Sequence, residues 1–250
     1  MEARKAREKK FHNTAYSENT REKADKFYSI WGRTILFYRE YLAARCQGKK
    51  ILEYGCGTGS QSFFLTRKGA NVTGIDISDV AIEKARAEAQ IQGLVDIKYE
   101  VMDAESLTFQ NSSFDIVCGS GILHHLNLVK AFSEIARILL PQGSAIFIEP
   151  LGHNPLINLY RRVTPDMRTS DEHPLLISDF ELASQYFSLI DIHYFNLATL
   201  MAVPLQRTPI FSRILSSLQE FDDFVFRSVP IARRFAWIAA IILQKPIVWQ

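Results

Sequence analysis

The chain has 250 residues, 47% of them apolar and 22% charged, with a formal net charge of +2. This is the composition of a soluble globular protein, long enough for one well-buried α/β core with additions and too short for two catalytic domains of ordinary size. The charge is uneven: residues 1–50 carry 13 Lys/Arg against 6 Asp/Glu (+7), and the remainder carries 16 against 21 (−5). Such a basic segment reads either as a solvated amphipathic helical arm or as a lid over an anionic substrate or membrane surface.

Cys46, Cys56 and Cys118 have no C-x-x-C spacing and form no even-numbered framework, so neither a metal site nor a disulfide is expected, and a reducing cytoplasm fits. The N-terminal Met-Glu-Ala-Arg-Lys stretch has no apolar run behind it and does not read as a secretion signal. Phe235 to Leu243 is the longest late apolar run, nine residues, where a spanning helix needs about twenty. It is expected in the core, with membrane-surface contact as the alternative.

In chain order, residues 18–45 read as helical from Phe27, Ile30, Trp31, Ile35, Tyr38 and Leu42 between charges. Ile51–Tyr54 reads as a first strand, followed by a helix carrying Phe63, Phe64 and Leu65. Val72–Ile75 is a second strand, and Ser78 caps a helix that runs to about Gln92 and closes at Gly93. Ile97–Val101 and Phe114–Cys118 are the third and fourth strands. A helix over about 128–140 stops at Pro141-Gln-Gly143, and Ser144–Ile148 is the fifth strand. Alternation at this spacing predicts a doubly wound, mostly parallel sheet with helices on both faces. Residues 150–177 hold four prolines and no clean period, and read as an irregular insertion with one short helix, Leu156–Val163. Ser178 caps a further helix, Leu189–Phe195 is a sixth strand, 210–228 is helical, and Trp237–Leu243 is the last strand.

Chemistry concentrates at the strand ends. Ile51 to Ser60 reads I-L-E-Y-G-C-G-T-G-S, and Gly74 to Ser78 reads G-I-D-I-S. An apolar run ending in a glycine turn lets backbone approach a ligand, and the next strand delivers Asp76 to ribose hydroxyls. The three glycines alternate, whereas a dinucleotide fingerprint wants its third glycine three residues after the second, which disfavours a nicotinamide enzyme. With Glu53, the block E-x-G-x-G-x-G resembles the S-adenosylmethionine (SAM) site of class I methyltransferases. Residues 114–126, F-D-I-V-C-G-S-G-I-L-H-H-L, are similar to a stretch of the small-molecule members of that family.

The resemblance implies a Rossmann-like seven-stranded sheet whose last strand is antiparallel. It divides the chain into an N-terminal helical lid (1–47) and a SAM-binding domain (48–250), with 151–177 as a substrate cap. For the cofactor it implies Glu53, Gly55, Cys56, Gly57, Gly59, Asp76, Ile77, Asp103 on the adenine amino group, Ala104 beside the ring, and Gly119 and Ser120 near the methionine end. Asp115, at the far end of its strand, reads as structural.

His124 and His125 stand where a helix begins at the ligand-binding edge, either touching cofactor or substrate or serving as cap and packing. Methyl transfer to a hydroxyl or a protonated amine needs alignment and a base. His153, just past the fifth strand, is the leading base, with His173 and His124 behind it. The alternative for His153 is that it pins the insertion. No Asn/Asp-Pro-Pro-Tyr/Phe motif, no Pro-Cys dipeptide and no basic stripe with interleaved aromatics occurs, which argues against a nucleic-acid substrate. The expected function is methyl transfer from SAM to a small molecule at oxygen or nitrogen. The alternatives are a lipid-like or polyprenyl acceptor, prompted by the aromatic stretches at 180–195 and 221–226 and compatible with peripheral membrane contact, or a SAM-binding scaffold without turnover.

Overall fold

A computed structural model of the chain describes residues 2–18, 29–165, 169 and 171–247. Seven strands form one sheet: β1 (Lys50–Tyr54), β2 (Asn71–Asp76), β3 (Lys98–Val101), β4 (Phe114–Ser120), β5 (Leu139–Pro150), β6 (Phe187–Phe195) and β7 (Ile238–Pro246). Their order is β3-β2-β1-β4-β5-β7-β6. Ile51 pairs with Val72 on one side and Ile116 on the other, all parallel, and β7 runs antiparallel to both β5 and β6. The order reverses between β1 and β4, so the crevice outside their carboxyl ends is where an open α/β sheet takes its ligand.

The strands are apolar on both faces because both are covered. Along β7, Ala239, Ile241 and Leu243 enter one core cluster and Ile238, Ala240 and Ile242 the other. The first cluster packs α5 (Leu128–Ile138) through Phe132 and Ile135, and α7 (Ile177–Ala183) through Ala183. The second packs α2 (Gly32–Ala43) through Tyr38 and Leu42, α3 (Ser60–Arg67) through Phe63 and Leu65, and α4 (Asp79–Ile91) through Ile82 and Ala85. Each such Leu, Ile or Phe contributes roughly 1.5–3 kcal/mol relative to exposure. The expected core placement of 235–243 therefore holds for Ile238–Leu243, while Phe235 is partly exposed.

Several boundaries differ from the reading of the sequence. The long helix ends at Ile138 instead of Leu140, since Pro141 disfavours the helical region for the residue before it, and β5 begins at once with Leu139 paired to Phe114. α7 starts at Ile177, one residue before Ser178, with the Leu176 N–H donating to the Asp179 carboxylate at 2.7 Å. Among the described residues the N-terminal part shows α1 (Glu2–Glu18), which was not expected, and α2, which meets part of the helix expected over 18–45; Phe27 lies outside the described residues. α1 has strong helix formers but buries only Glu8 and Ala15, so it offers no apolar periodicity to detect. In the insertion, α6 (Pro155–Val163) is capped by Asn154, whose Oδ1 accepts from Leu156 N at 3.0 Å and Ile157 N at 3.1 Å, with Pro155 opening the first turn. A last helix, α8 (Phe211–Ser228), precedes β7.

Candidate active site

A cavity of about 850 Å³ opens along the carboxyl ends of β1, β2, β3, β4 and β5, roofed by α1 and bordered by α6. Its size lies toward the upper end of what small-molecule sites occupy, roughly 300–1,000 Å³.

Of the residues expected at the cofactor, Glu53, Gly55, Cys56, Gly57, Asp76, Ile77, Asp103, Ala104 and Ser120 line it together. Gly57 has φ +52°, and a Cβ there would stand 2.6 Å from the Tyr16 hydroxyl of α1. Its N–H donates to Asp76 Oδ2 at 2.9 Å, and Ser78 N donates to Oδ1 at 2.9 Å, so each oxygen keeps a lone pair for a further donor. Glu53 is buried beneath the loop and accepts the Ser62 hydroxyl; burial pushes its carboxyl up to about 8. Asp103 Oδ1 accepts from Glu105 N at 2.9 Å and Oδ2 pairs with Lys5 Nζ. Two expected residues are not among the cavity walls. A Cβ on Gly59 would meet the Tyr99 hydroxyl at 2.3 Å, and one on Gly119 would meet the Tyr54 carbonyl at 2.7 Å, so both glycines serve close packing behind the loop. Asp115 accepts from Lys50 N and pairs with Lys49 at 3.0 Å, at the opposite end of β4.

The expected bases separate. His124 lines the cavity. His153 does not: Leu151 N donates to the Trp237 carbonyl and Gly152 N to that of Leu175, which turns the chain away from the sheet edge. The His153 Nε2 then accepts from Ile177 N at 3.3 Å, pinning the start of α7. His173 meets His124 only through backbone, donating to its carbonyl at 2.9 Å, and its side chain is not a wall of the cavity.

Around His124 the structure assembles a group that the sequence reading left without roles. Glu149, fully buried at the end of β5, accepts from the N–H of Ile122 (2.9 Å), Leu123 (2.8 Å) and His124 (3.4 Å). His124 Nδ1 is 2.7 Å from Glu149 Oε2. A carboxylate has only acceptors, so this pairing puts the imidazole proton on Nδ1 and leaves Nε2 as an acceptor. Glu172 Oε1 stands 3.9 Å from Nε2 and is held by Arg161 at 2.8 Å. Trp31, Ile35, Ile157, Tyr160 and Trp237 give the same end of the cavity an aromatic and aliphatic wall.

The basic surplus of the N-terminus is spent at the strand ends. Arg4 pairs with Glu105, Lys5 with Asp103, and Lys9 with Asp79 at 3.1 Å, while Arg7 holds Asp171 at 2.7 Å. Asn13 joins Asp79 and Ser78. An acid closing an apolar strand, as Glu149 does, carries a sequence signal. The partners from α1, between 65 and 164 positions distant, carry none.

Residues 52–147 match a family model described as a methyltransferase domain. The matched stretch resembles a class I SAM-dependent methyltransferase domain. The chain is 35% identical over 130 residues to aklanonic acid methyltransferase DauC of Streptomyces sp. strain C5, covering 50% of this chain and 57% of that protein. It is 33% identical over 114 residues to a ubiquinone biosynthesis O-methyltransferase of Coxiella burnetii, covering 46% and 48%. The match thus spans about half the length of these curated relatives. Among solved structures, phosphoethanolamine N-methyltransferase 2 of Haemonchus contortus, in complex with S-adenosylhomocysteine, superposes with a TM-score of 0.60 at 20% identity, over 81% of this chain and 50% of that one. That likeness concerns the fold. No helix among the described residues is long and apolar enough to cross a membrane.

Proposed function

We propose that this protein transfers a methyl group from SAM to a hydroxyl oxygen of a small molecule with an aromatic or aliphatic body, with His124 as the base. The observation that carries the reading is the Glu149–His124 pair at the acceptor end of the cavity. SAM is the methyl donor, a sulfonium whose methyl carbon is open to displacement. The residues present fit it. The Asp76 carboxylate keeps lone pairs for a ribose diol, Asp103 and Ala104 flank the adenine position, and the glycine turn brings the backbone of Gly55 and Gly57 to the cavity wall, beneath the Tyr16 hydroxyl of α1. Glu53, under the turn, faces the methionine end with Gly55, Cys56 and Ser120.

Glu149 fixes the tautomer and direction of the His124 ring, so Nε2 points an acceptor into the cavity at no cost of reorganisation. An acceptor hydroxyl set against Nε2 gives up its proton as its oxygen attacks, and the charge this leaves on the ring is stabilised by the buried carboxylate. Trp31, Ile157, Tyr160 and Trp237 would grip the acceptor body, and Arg161 and Glu172 its polar substituents. Names of relatives point the same way, since two of them are an aklanonic acid methyltransferase and an O-methyltransferase of ubiquinone biosynthesis.

The test is a panel of phenols, carboxylic acids and amines incubated with isotopically labelled methyl SAM, with S-adenosylhomocysteine and methylated product read by mass spectrometry. Transfer to hydroxyl-bearing aromatics that disappears in His124→Ala supports the reading. Transfer to amines alone, or transfer indifferent to His124, contradicts it. A second reading, a lipid-like acceptor presented by a membrane, is favoured by the exposed Leu156, Leu159 and Val163 of α6 and Phe221 and Phe224 of α8. Turnover that appears only with the acceptor in vesicles would select it.

A further inference from the structure

Beside the acceptor end, where α1 crosses the turn after β4, three side chains converge that methyl transfer itself does not use. They are Glu8 and His12, one turn apart on α1, and His125, next to the proposed base. Glu8 Oε2 lies 3.2 Å from His125 Nδ1 and 3.5 Å from His12 Nε2. One ligand atom from each residue can be chosen so that all lie within 4.8 Å of one another. All three residues line the cavity.

Well-aligned hydrogen bonds do not hold this convergence together. Glu8 and His125 are 4% and 9% exposed, yet Glu8 Oε2 and His125 Nδ1 have no hydrogen-bond partner of acceptable geometry. A buried carboxylate oxygen and a buried imidazole nitrogen left in this way each cost free energy. The other Glu8 oxygen is engaged, accepting the Thr169 hydroxyl, which sets the direction in which Oε2 points. The two atoms therefore face each other, with His12 beside them.

A metal ion would satisfy both atoms. Zinc sits about 2.0–2.1 Å from imidazole nitrogen and carboxylate oxygen, which puts the corners of its tetrahedron about 3.3 Å apart. The separations of 3.2 and 3.5 Å match that edge. Two imidazoles and one carboxylate are also a ligand set that leaves coordination positions open, as catalytic sites do. We propose that Glu8, His12 and His125 form a site for a divalent transition-metal ion of the zinc type, which fastens α1 across the mouth of the cavity and turns an open coordination position toward the acceptor's oxygen or water. A neighbouring triad, His124, His125 and Glu172, also satisfies the distances. It is the weaker candidate, because His124 Nδ1 is committed to Glu149 and Glu172 Oε1 to Arg161.

The metal site stands apart from the identity of the acceptor and is tested without turnover. Purified protein, stripped with a chelator, is dialysed against zinc chloride and its metal content measured. The expected result is one zinc per chain, with affinity lowered tenfold or more in Glu8→Gln and in His12→Ala, roughly as losses around metal ligands behave. His193→Ala, which removes an exposed histidine paired with Asp191 on β6, should leave binding unchanged. Carbethoxylation of the unmodified protein decides the matter even if a variant misfolds: zinc should suppress labelling of His12 and spare His193. Binding well below one zinc per chain, binding indifferent to both substitutions, or labelling of His12 unaffected by zinc would overturn the proposal.

Discussion

His124 Nδ1 lies 2.7 Å from a carboxylate oxygen of Glu149, although the two residues are 25 positions apart and leave adjacent strands. Glu149 is fully buried and already receives three backbone N–H groups from the same turn. The carboxylate therefore builds the turn and aims the imidazole at once. His124→Ala should lower turnover by about 10²–10⁴-fold with little change in SAM affinity. Steady-state kinetics beside a SAM titration checks this, and a parallel loss of SAM binding would move His124 out of the acceptor end.

Glu149→Gln should act differently. Its amide keeps one acceptor oxygen but replaces the other with an NH2 donor facing donors, leaving at least one buried group unpaired at a cost of about 1–3 kcal/mol. Both turnover and the thermal midpoint should fall, whereas His124→Ala should affect mainly turnover. Thermal unfolding of the two variants separates the roles.

Asp76→Ala should weaken SAM binding by at least about tenfold, the loss of a charge-assisted hydrogen bond worth roughly 1.5–3 kcal/mol. The Gly57 and Ser78 N–H groups lose their acceptor too, so a lower thermal midpoint is expected alongside. Unchanged affinity would refute the ribose assignment.

Lys5 holds the carboxylate proposed for the adenine amino group. This pair is partly exposed, and such pairs contribute about 0.2–1 kcal/mol. Lys5→Met should free Asp103 and raise SAM affinity by up to about fivefold. Weaker binding would mean instead that Lys5 is part of the cofactor site.

Glu53 predicts a pH dependence. Burial pushes its folded pKa from 4.5 up to about 8, Ser62 opposes the shift and Asp76 adds to it. The folded state then keeps a proton that the unfolded chain releases above pH 4.5, so this contribution to stability is full below that value and is lost as pH rises through about 8. The thermal midpoint should decline between about pH 4.5 and 8, and Glu53→Gln should flatten that decline. An equal slope in both proteins would contradict the burial argument.

Much of the cofactor end was legible in the sequence because its signals are local. Glu53, the glycines and Asp76 each sit at the end of an apolar run, and the alternation of strands and helices puts those ends at one edge. The acceptor end was not, because it depends on how distant pieces meet. His153 follows the fifth strand closely enough to look catalytic, but the bonds from Leu151 and Gly152 to Trp237 and Leu175 carry the chain outward before it. Four residues earlier, Glu149 is still in the sheet and points inward. α1 was hidden for a different reason. Its contacts with the site are ion pairs, such as Arg4 with Glu105 and Lys5 with Asp103, and a helix that buries almost no apolar face leaves no period to read.

Calorimetric titration of the purified chain with SAM, S-adenosylhomocysteine and NAD shows whether the crevice past β1, β2 and β3 is a SAM site. Saturable binding of one SAM and one S-adenosylhomocysteine per chain is expected, abolished in Gly57→Val, with no heat from NAD. Absence of SAM binding, or NAD binding in its place, would contradict that assignment.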